Sequence, residues 1–204
     1  MPASHMAGSA CSCQLTESGP NKPASLGFAD MSPLNLDPRR TAMVLVDLMP
    51  RIIAMPTAPH SGEQVFERCV RLADAFRRLG GLVVWVRVER PGGVQPEGSE
   101  LAVAPAEGDV VVVKHSWGAF GNSDIDDHLR ERGVEAVVFG GIATNFGVES
   151  TARAADDHGY SVVLVSDAMA GLDQRAHDFA VEYVFPKLGV VATTDELLAQ
   201  LPTR

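Results

Sequence analysis

Residues 137–153 read Val-Val-Phe-Gly-Gly-Ile-Ala-Thr-Asn-Phe-Gly-Val-Glu-Ser-Thr-Ala-Arg. The first part is an apolar run of strand length, and the last part has the spacing of a helix. Two glycines stand where the chain must turn, and Thr144 or Asn145 can cap the helix that follows. A strand that turns into a helix in this way points unpaired backbone N–H groups and the positive end of the helix dipole at one place. Such a place suits a carboxylate or a developing oxyanion, although an ordinary strand–helix turn has the same pattern.

Strands and helices alternate along the rest of the chain. This alternation predicts an α/β fold with a parallel sheet that is covered by helices on both faces. The predicted strands are 41–47, 82–88, 110–113, 135–140, 161–165 and 190–192. The predicted helices are 63–79, 124–132, 145–158, 176–185 and 194–201.

The totals exclude several classes of protein. With 204 residues and 46% hydrophobic content, the chain is long enough for one domain with a sizeable core. A net charge of −9 argues against nucleic acid as a partner. No apolar run approaches the ~20 residues that cross a bilayer, and residues 1–30 lack the pattern of a signal peptide. We therefore expect a cytoplasmic protein that binds no membrane.

The beginning of the chain has a different composition. Residues 1–36 are rich in Ser, Pro, Gly, Ala and Asn, and no hydrophobic periodicity runs through them. This composition predicts a disordered leader followed by one domain over residues 37–204. Of the three cysteines, Cys11 and Cys13 fall in the leader. Cys69 lies on the apolar stripe of a predicted helix, so we expect it to be buried in the core.

Two charged residues stand at predicted strand ends. Asp47 ends the first strand, at the carboxyl edge where open α/β sheets bind their ligands. Lys114 ends the third, and we expect the two to lie at adjacent strand ends within about 4 Å of each other. They would then form a catalytic pair. A structural ion pair or cap would use the same Asp47, and a solvated charge would explain Lys114.

Other residues are candidates for a substrate pocket. Two aromatics follow Lys114 closely, and an arginine ends the second predicted strand, where it would suit an anionic substrate. Local packing explains the aromatics equally well, and a surface position explains the arginine. We assign four residues to the pocket: Trp117, Phe120, Arg87 and Asn145.

Three segments together carry a family resemblance: Val44–Asp47, Lys114–Phe120 and Gly141–Arg153. In this order and at this spacing they resemble the signature segments of the isochorismatase-like hydrolases, also called the cysteine hydrolase superfamily. The resemblance covers roughly residues 38–201. It implies a single doubly wound domain whose six-stranded parallel sheet has the order 3-2-1-4-5-6, with helices on both faces.

The resemblance also implies which residues form the site. The amidases of this family use an Asp, a Lys and a Cys, and the first two fall on Asp47 and Lys114. The cysteine position falls on Gly147, which has no side chain to attack a substrate. The turn at that position consists of Ile142, Ala143, Thr144 and Gly147.

Further expectations follow from the family. The Ile142–Ala143 peptide is expected to be cis, as in family members. We predict no metal and no cofactor, because zinc-binding members carry two His after the second strand, whereas no His occurs here between His60 and His115. A homo-oligomer, dimer or tetramer, is expected. The apolar residues of the later helix that could face a partner or the core are Phe179, Val184 and Phe185.

Three hypotheses about function remain. The first is a hydrolase that acts on a small, anionic or carbonyl-bearing molecule by cysteine-independent acid–base chemistry with Asp47 and Lys114. Isochorismatases proper also carry Gly at the cysteine position, and their Asp protonates a vinyl ether to which water then adds. The second is a catalytically silent binding or scaffold protein. The third is an amidase whose nucleophile has moved to Thr144, Ser150 or Thr151, none of which has an evident basic partner in the sequence. The first is favoured, and the sequence does not name the substrate.

Overall fold

The sheet is the organising element of the computed structural model, which describes residues 36–202. In this range the chain forms a six-stranded parallel sheet in the order β3-β2-β1-β4-β5-β6, which confirms the predicted fold. The strands are β1 Thr41–Val46, β2 Leu82–Val88, β3 Val110–Lys114, β4 Ala136–Ile142, β5 Ser161–Ala170 and β6 Gly189–Ala192. The predicted leader, with Cys11 and Cys13, lies outside the described residues except for its last position.

The five predicted helices are present with differences at their ends, and the one predicted at 176–185 contains a π-helical segment, Ala180–Val184. The helices are α1 Pro50–Ile53, α2 Gly62–Arg78, α3 Ile125–Glu131, α4 Glu149–Asp157, α5 Gln174–Phe179, α6 Phe185–Leu188 and α7 Thr194–Gln200. Helix α1 occupies a stretch that the sequence predicted as loop, because its proline stands in the first turn, where a missing N–H costs nothing. None of the helices between residues 36 and 202 is long and apolar enough to cross a membrane.

Helices cover both faces of the sheet. On one face α2 and α7 pack against the sheet through Val65, Cys69, Leu72, Phe76 and Leu197. On the other face α3, α4 and the later helices pack through Ile125, Leu129, Ala152, Ala180 and Phe185. Every residue of β1 is buried, as expected for a central strand of a parallel sheet. Burial of each large apolar side chain in these layers stabilises the folded protein by about 1.5–3 kcal/mol.

The strand order reverses between β1 and β4, at the centre of the sheet. Val46 of β1 pairs with Gly141 of β4 at the carboxyl ends of these strands. Gly141 has a φ of 127°, and a Cβ there would lie 2.1 Å from the carbonyl oxygen of Val46. Only glycine therefore allows the two strands to approach this closely. Open α/β sheets bind ligands outside such a reversal, and this is where Asp47 and the turn after β4 lie.

Candidate active site

Asp47 follows β1 directly and has an unusual backbone. Its φ is 56°, in the left-handed region that few residues other than glycine adopt. Its N–H donates to the carbonyl of Val86 at 2.8 Å, and its own carbonyl accepts from the N–H of Met49 at 2.9 Å. These two bonds hold the strained residue in place, so its carboxylate has a fixed position at the end of the strand.

Lys114 reaches Asp47 across an intervening strand. Its Nζ lies 2.8 Å from Asp47 Oδ2 and donates to the carbonyl of Trp117 at 2.7 Å. The lysine side chain is only 1% exposed and that of Asp47 9%. The predicted ion pair is therefore present, but the prediction of adjacent strands is wrong, because β2 lies between β1 and β3. The four-carbon stem of the lysine spans that extra strand.

Gly147 completes this cluster. The Ile142–Ala143 peptide is cis, and Thr144–Val148 form a π-helical turn that leads into α4, where the sequence predicted a regular helix. A Cβ on Gly147 would lie 3.0 Å from Lys114 Nζ and 3.1 Å from Asp47 Oδ2. The ion pair thus packs directly against the backbone of this residue.

The environment of Asp47 favours its neutral form. Burial raises the pKa of this carboxyl above its ordinary value, and the ammonium of Lys114 opposes the shift. Oδ2 is paired with Lys114, whereas Oδ1 is buried and has no hydrogen-bond partner among residues 36–202. The site therefore contains a buried acid with one oxygen that no described protein group satisfies.

A second buried pair, Thr144 and His177, supports the turn, and His177 was not among the residues predicted for the site. Thr144 Oγ1 lies 2.8 Å from Nδ1 of His177, and both side chains are buried. Burial is the main cause that lowers the pKa of His177, which favours the neutral imidazole. Thr144 therefore has a basic partner that was not evident in the sequence. Helical spacing from Ala180 and Val184 places His177 on the buried face and could have indicated its position.

The structure separates the four residues that the sequence assigned to a pocket. The Trp117 ring stacks on Phe146 beside the turn, at 4.9 Å between centroids. Phe120 instead contacts His158 and Tyr160, at the end of α4 and the start of β5. His158 and Tyr160 lie at the amino end of the strands, whereas Asp47 lies at the carboxyl end. Phe120 therefore packs against the core and does not join the site.

Arg87 and Asn145 also differ from the expectation. Arg87 forms an ion pair with Glu89 at 2.6 Å and lines an open groove of about 640 Å³ along the β3 edge. The lining of that groove does not include Asp47, Lys114 or Gly147. Asn145 is part of the turn, and its Oδ1 is buried without a partner among the described residues. Asn145 therefore remains beside the site, whereas Arg87 does not join it.

The remaining reactive residues are remote or bonded. Cys69 is fully buried, its Sγ lies 3.3 Å from the carbonyl of Ala168, and burial raises the pKa of its thiol. Thr151 Oγ1 donates to the carbonyl of Gly147 at 2.6 Å. Within the part of the chain that the structure describes, no three His, Cys, Asp or Glu side chains are grouped to hold a metal ion.

Known proteins are similar to this chain in both sequence and fold. The isochorismatase domain model matches residues 41–196. The chain is 35% identical over 191 residues to the isochorismatase family protein YwoC of Bacillus subtilis, covering 84% of this chain and 99% of that protein. An isochorismatase family protein of Burkholderia thailandensis superposes with a TM-score of 0.75 at 40% identity. The match covers 84% of this chain and 100% of that one.

A protein named as an amidohydrolase is also similar over a shorter region. The ureidoacrylate amidohydrolase RutB of Azorhizobium caulinodans is 41% identical over 106 residues, which cover 50% of this chain and 47% of that protein. The domain match spans more than half of the chain and the full-length relatives agree with it. This chain therefore belongs to the isochorismatase family of hydrolases.

Proposed function

We propose that this hydrolase acts without a cysteine nucleophile, by acid–base chemistry of Asp47 supported by Lys114. The observation that carries the proposal is the direct contact between the two side chains at 2.8 Å, packed against a residue without a side chain. Gly147 stands at the position that the family resemblance assigns to the amidase cysteine. Asp47 and Lys114 therefore lie next to the position that holds the nucleophile in the family's amidases.

The proposed reaction begins with neutral Asp47. Its carboxyl proton passes to an unsaturated carbon of the substrate, where the double-bond electrons form the new C–H bond, or to a carbonyl oxygen, where an oxygen lone pair forms the new O–H bond. The resulting carboxylate is stabilised by the Lys114 ammonium at 2.8 Å. Water then adds to the cationic substrate carbon, and the proton that the water loses returns to Asp47. The bond from that carbon to the leaving group then breaks as the new hydroxyl becomes a carbonyl, and the hydroxyl proton passes to the leaving group. Burial supports this role, because it raises the pKa of Asp47 above its ordinary value against the opposing charge of Lys114.

The proposed substrate is a small molecule that is anionic or bears a carbonyl group. A nucleophilic mechanism is a second candidate, because Thr144 has a neutral imidazole within 2.8 Å. Its hydroxyl is completely buried, however, so a substrate would have to displace it from His177 first. Acid–base chemistry needs no such rearrangement.

Assays with a panel of enol ethers, esters and amides test this proposal. We expect turnover of an enol ether or other activated substrate that is unchanged after iodoacetamide treatment, because Cys69 is buried and no other described cysteine exists between residues 36 and 202. Mass spectrometry of the enzyme during turnover should show no added mass. An acyl adduct on Thr144 would support the second candidate, and an adduct on any cysteine would contradict both. Absence of turnover for the whole panel would favour a silent binding protein.

We also propose that the protein is a homo-oligomer. Among the residues that the sequence offered for an interface, Val184 and Phe185 are buried in the core, whereas Phe179 is 59% exposed and stacks on Tyr183. Exposed aromatic pairs of this kind are common at contacts between subunits. Light scattering at micromolar concentration should give a mass that is a multiple of the chain mass. A monomer at that concentration would contradict the proposal.

A further inference from the structure

His177 is a buried imidazole that the proposed acid–base chemistry does not use. It lies on α5 and is 4% exposed, and its Nδ1 lies 2.8 Å from Oγ1 of the completely buried Thr144. Burial lowers the pKa of His177 and so favours the neutral imidazole. A neutral partner can hold Thr144 in place without adding a charge next to the turn.

Thr144 is the first residue of the turn that leads into α4. The turn, Thr144–Val148, folds around the carbonyl of Ala143, which accepts from the N–H of Phe146 at 3.1 Å and from the N–H of Val148 at 3.3 Å. Gly147 belongs to the same turn, with only two residues between it and Thr144. A movement of Thr144 therefore reaches the residue against which the Asp47–Lys114 pair packs.

The turn is supported from its own helix and from a distant one. Thr151, on α4, donates its hydroxyl to the carbonyl of Gly147 at 2.6 Å. His177 is 33 residues away from Thr144 and belongs to a different helix. Because Thr151 moves with α4, its bond cannot fix the turn relative to α5. The bond between His177 and Thr144 does so.

Close packing at the end of β5 keeps α5 near the turn. A Cβ on Gly171 would lie 3.3 Å from Asn145 Oδ1 and 3.4 Å from His177 Cβ, so this glycine lies between the turn and the imidazole. Gly171 also exchanges two backbone hydrogen bonds with Ala58, both of 2.9 Å. The segment that precedes α5 is therefore anchored, and His177 has a fixed position from which to hold Thr144.

We propose that His177 is a positioning residue for the candidate active site: its hydrogen bond to Thr144 holds the turn so that Gly147 stays packed against the ion pair. This inference rests on the proposed function and adds to it a residue from α5 that acts without touching the substrate. Thr144 then serves as the link between His177 and the turn, and not as a nucleophile. A displacement of about 1 Å in an active site can cost about 10²-fold in rate, so a bond remote from the chemistry can control kcat.

Two variants of His177 test this role with any panel substrate that the wild-type protein turns over. His177→Leu leaves the Thr144 hydroxyl unpaired and should lower kcat about 10- to 100-fold, with KM changed by less than about twofold. His177→Asn places a polar atom where Nδ1 lies, so it should restore most of the loss. Thr144→Val should lower kcat by a similar factor and retain residual turnover, whereas removal of a nucleophile would abolish turnover. The double variant His177→Leu, Thr144→Val should lose no more than either single variant, because all three lack the same bond.

Tyr160→Phe is the matched control. The Tyr160 hydroxyl donates to Asp126 at 2.7 Å, before β5 and at the other end of the strands from the turn. Its removal should lower the melting temperature and leave kcat unchanged. Unchanged kcat in folded His177→Leu and Thr144→Val would overturn the proposal, even if both melt at a lower temperature.

Hydrogen exchange tests the position of the turn without a substrate. The amides of Phe146 and Val148 should exchange about tenfold faster or more in His177→Leu than in the wild-type protein or His177→Asn. Tyr160→Phe should leave their exchange unchanged. If the wild-type protein turns over none of the panel, the proposed function fails and exchange decides alone: faster exchange would support the positioning role of His177, and unchanged exchange would overturn it. If Asp47→Asn retains full turnover, the acid–base chemistry fails, whereas a loss of kcat in His177→Leu would still support the role of His177.

Discussion

Replacement of Asp47 by Asn is expected to lower kcat by about 10²- to 10⁴-fold, the usual contribution of a general acid or base. Asn has the same shape and can still accept a hydrogen bond from Lys114, but it has no proton to give at neutral pH. Stability should fall less than in a variant that leaves a buried charge with no partner at all, because Asn still accepts from Lys114 and burial disfavours the carboxylate that is removed. Steady-state kinetics and a thermal melt of both proteins measure these two quantities.

A matched control is available in Asp109, another carboxylate held in a buried ion pair. Its side chain is 2% exposed, and it accepts from Arg77 at 2.7 Å and from Trp85 at 2.8 Å. It precedes β3, whereas Lys114 ends that strand, so the two residues lie at opposite ends of β3. Asp109→Asn should therefore lower the melting temperature and leave kcat nearly unchanged. If Asp47→Asn instead behaves like the control, with a large loss of stability and no effect on turnover, Asp47 is structural.

Replacement of Lys114 by Met is expected to lower the free energy of unfolding by about 3–5 kcal/mol near pH 8, because it leaves a buried carboxylate without its cation. The loss should be smaller near pH 5. Without Lys114 the pKa of Asp47 rises further, since burial already raises it and the opposing charge has gone. Chemical denaturation at the two pH values measures the difference.

The sign of this pH dependence follows from the linkage between protonation and folding. A carboxyl whose pKa is raised by folding binds its proton more tightly in the folded protein than in the unfolded chain. Stability is therefore lost as the pH rises above the ordinary value of 3.8, until the folded pKa is passed. The double variant Asp47→Asn, Lys114→Met removes both charges and should recover much of the loss at pH 8. Equal destabilisation by Lys114→Met at both pH values would show that Asp47 does not titrate in response.

Local pattern predicted most of the fold because each element carries its own signal. The span Leu82–Val88 of β2 agrees with the prediction, since an apolar run between glycines and a charged end defines it. The ends of other elements depend on contacts that are distant in sequence. Helix α5 begins at Gln174 because Asp173 caps it, and its N-terminal part is polar, so hydrophobic spacing did not reveal it.

In the site, too, the residues at strand ends could be predicted from local sequence, whereas contacts between distant residues could not. Strand ends and the family resemblance placed Asp47, Lys114 and Gly147 together, because the carboxyl edge of a parallel sheet collects such residues. The partnership of Thr144 with His177 joins residues 33 positions apart, and no local pattern encodes it. Phe120 was misplaced because its spacing from Lys114 gives no direction for its ring once the chain leaves β3.

Gly147 also bears on how this lineage can change by mutation. Any new side chain there would begin 3.0 Å from Lys114 Nζ and 3.1 Å from Asp47 Oδ2, so these atoms would have to move by a few tenths of an ångström to admit it. A change of Gly147 to cysteine would consequently shift the Asp47–Lys114 pair at the same time as it added a thiol. Compensating changes near Val46, whose Cγ1 is equally close, would have to come first or together with it. A directed-evolution experiment that seeks thiol catalysis in this chain should therefore vary Val46 together with Gly147.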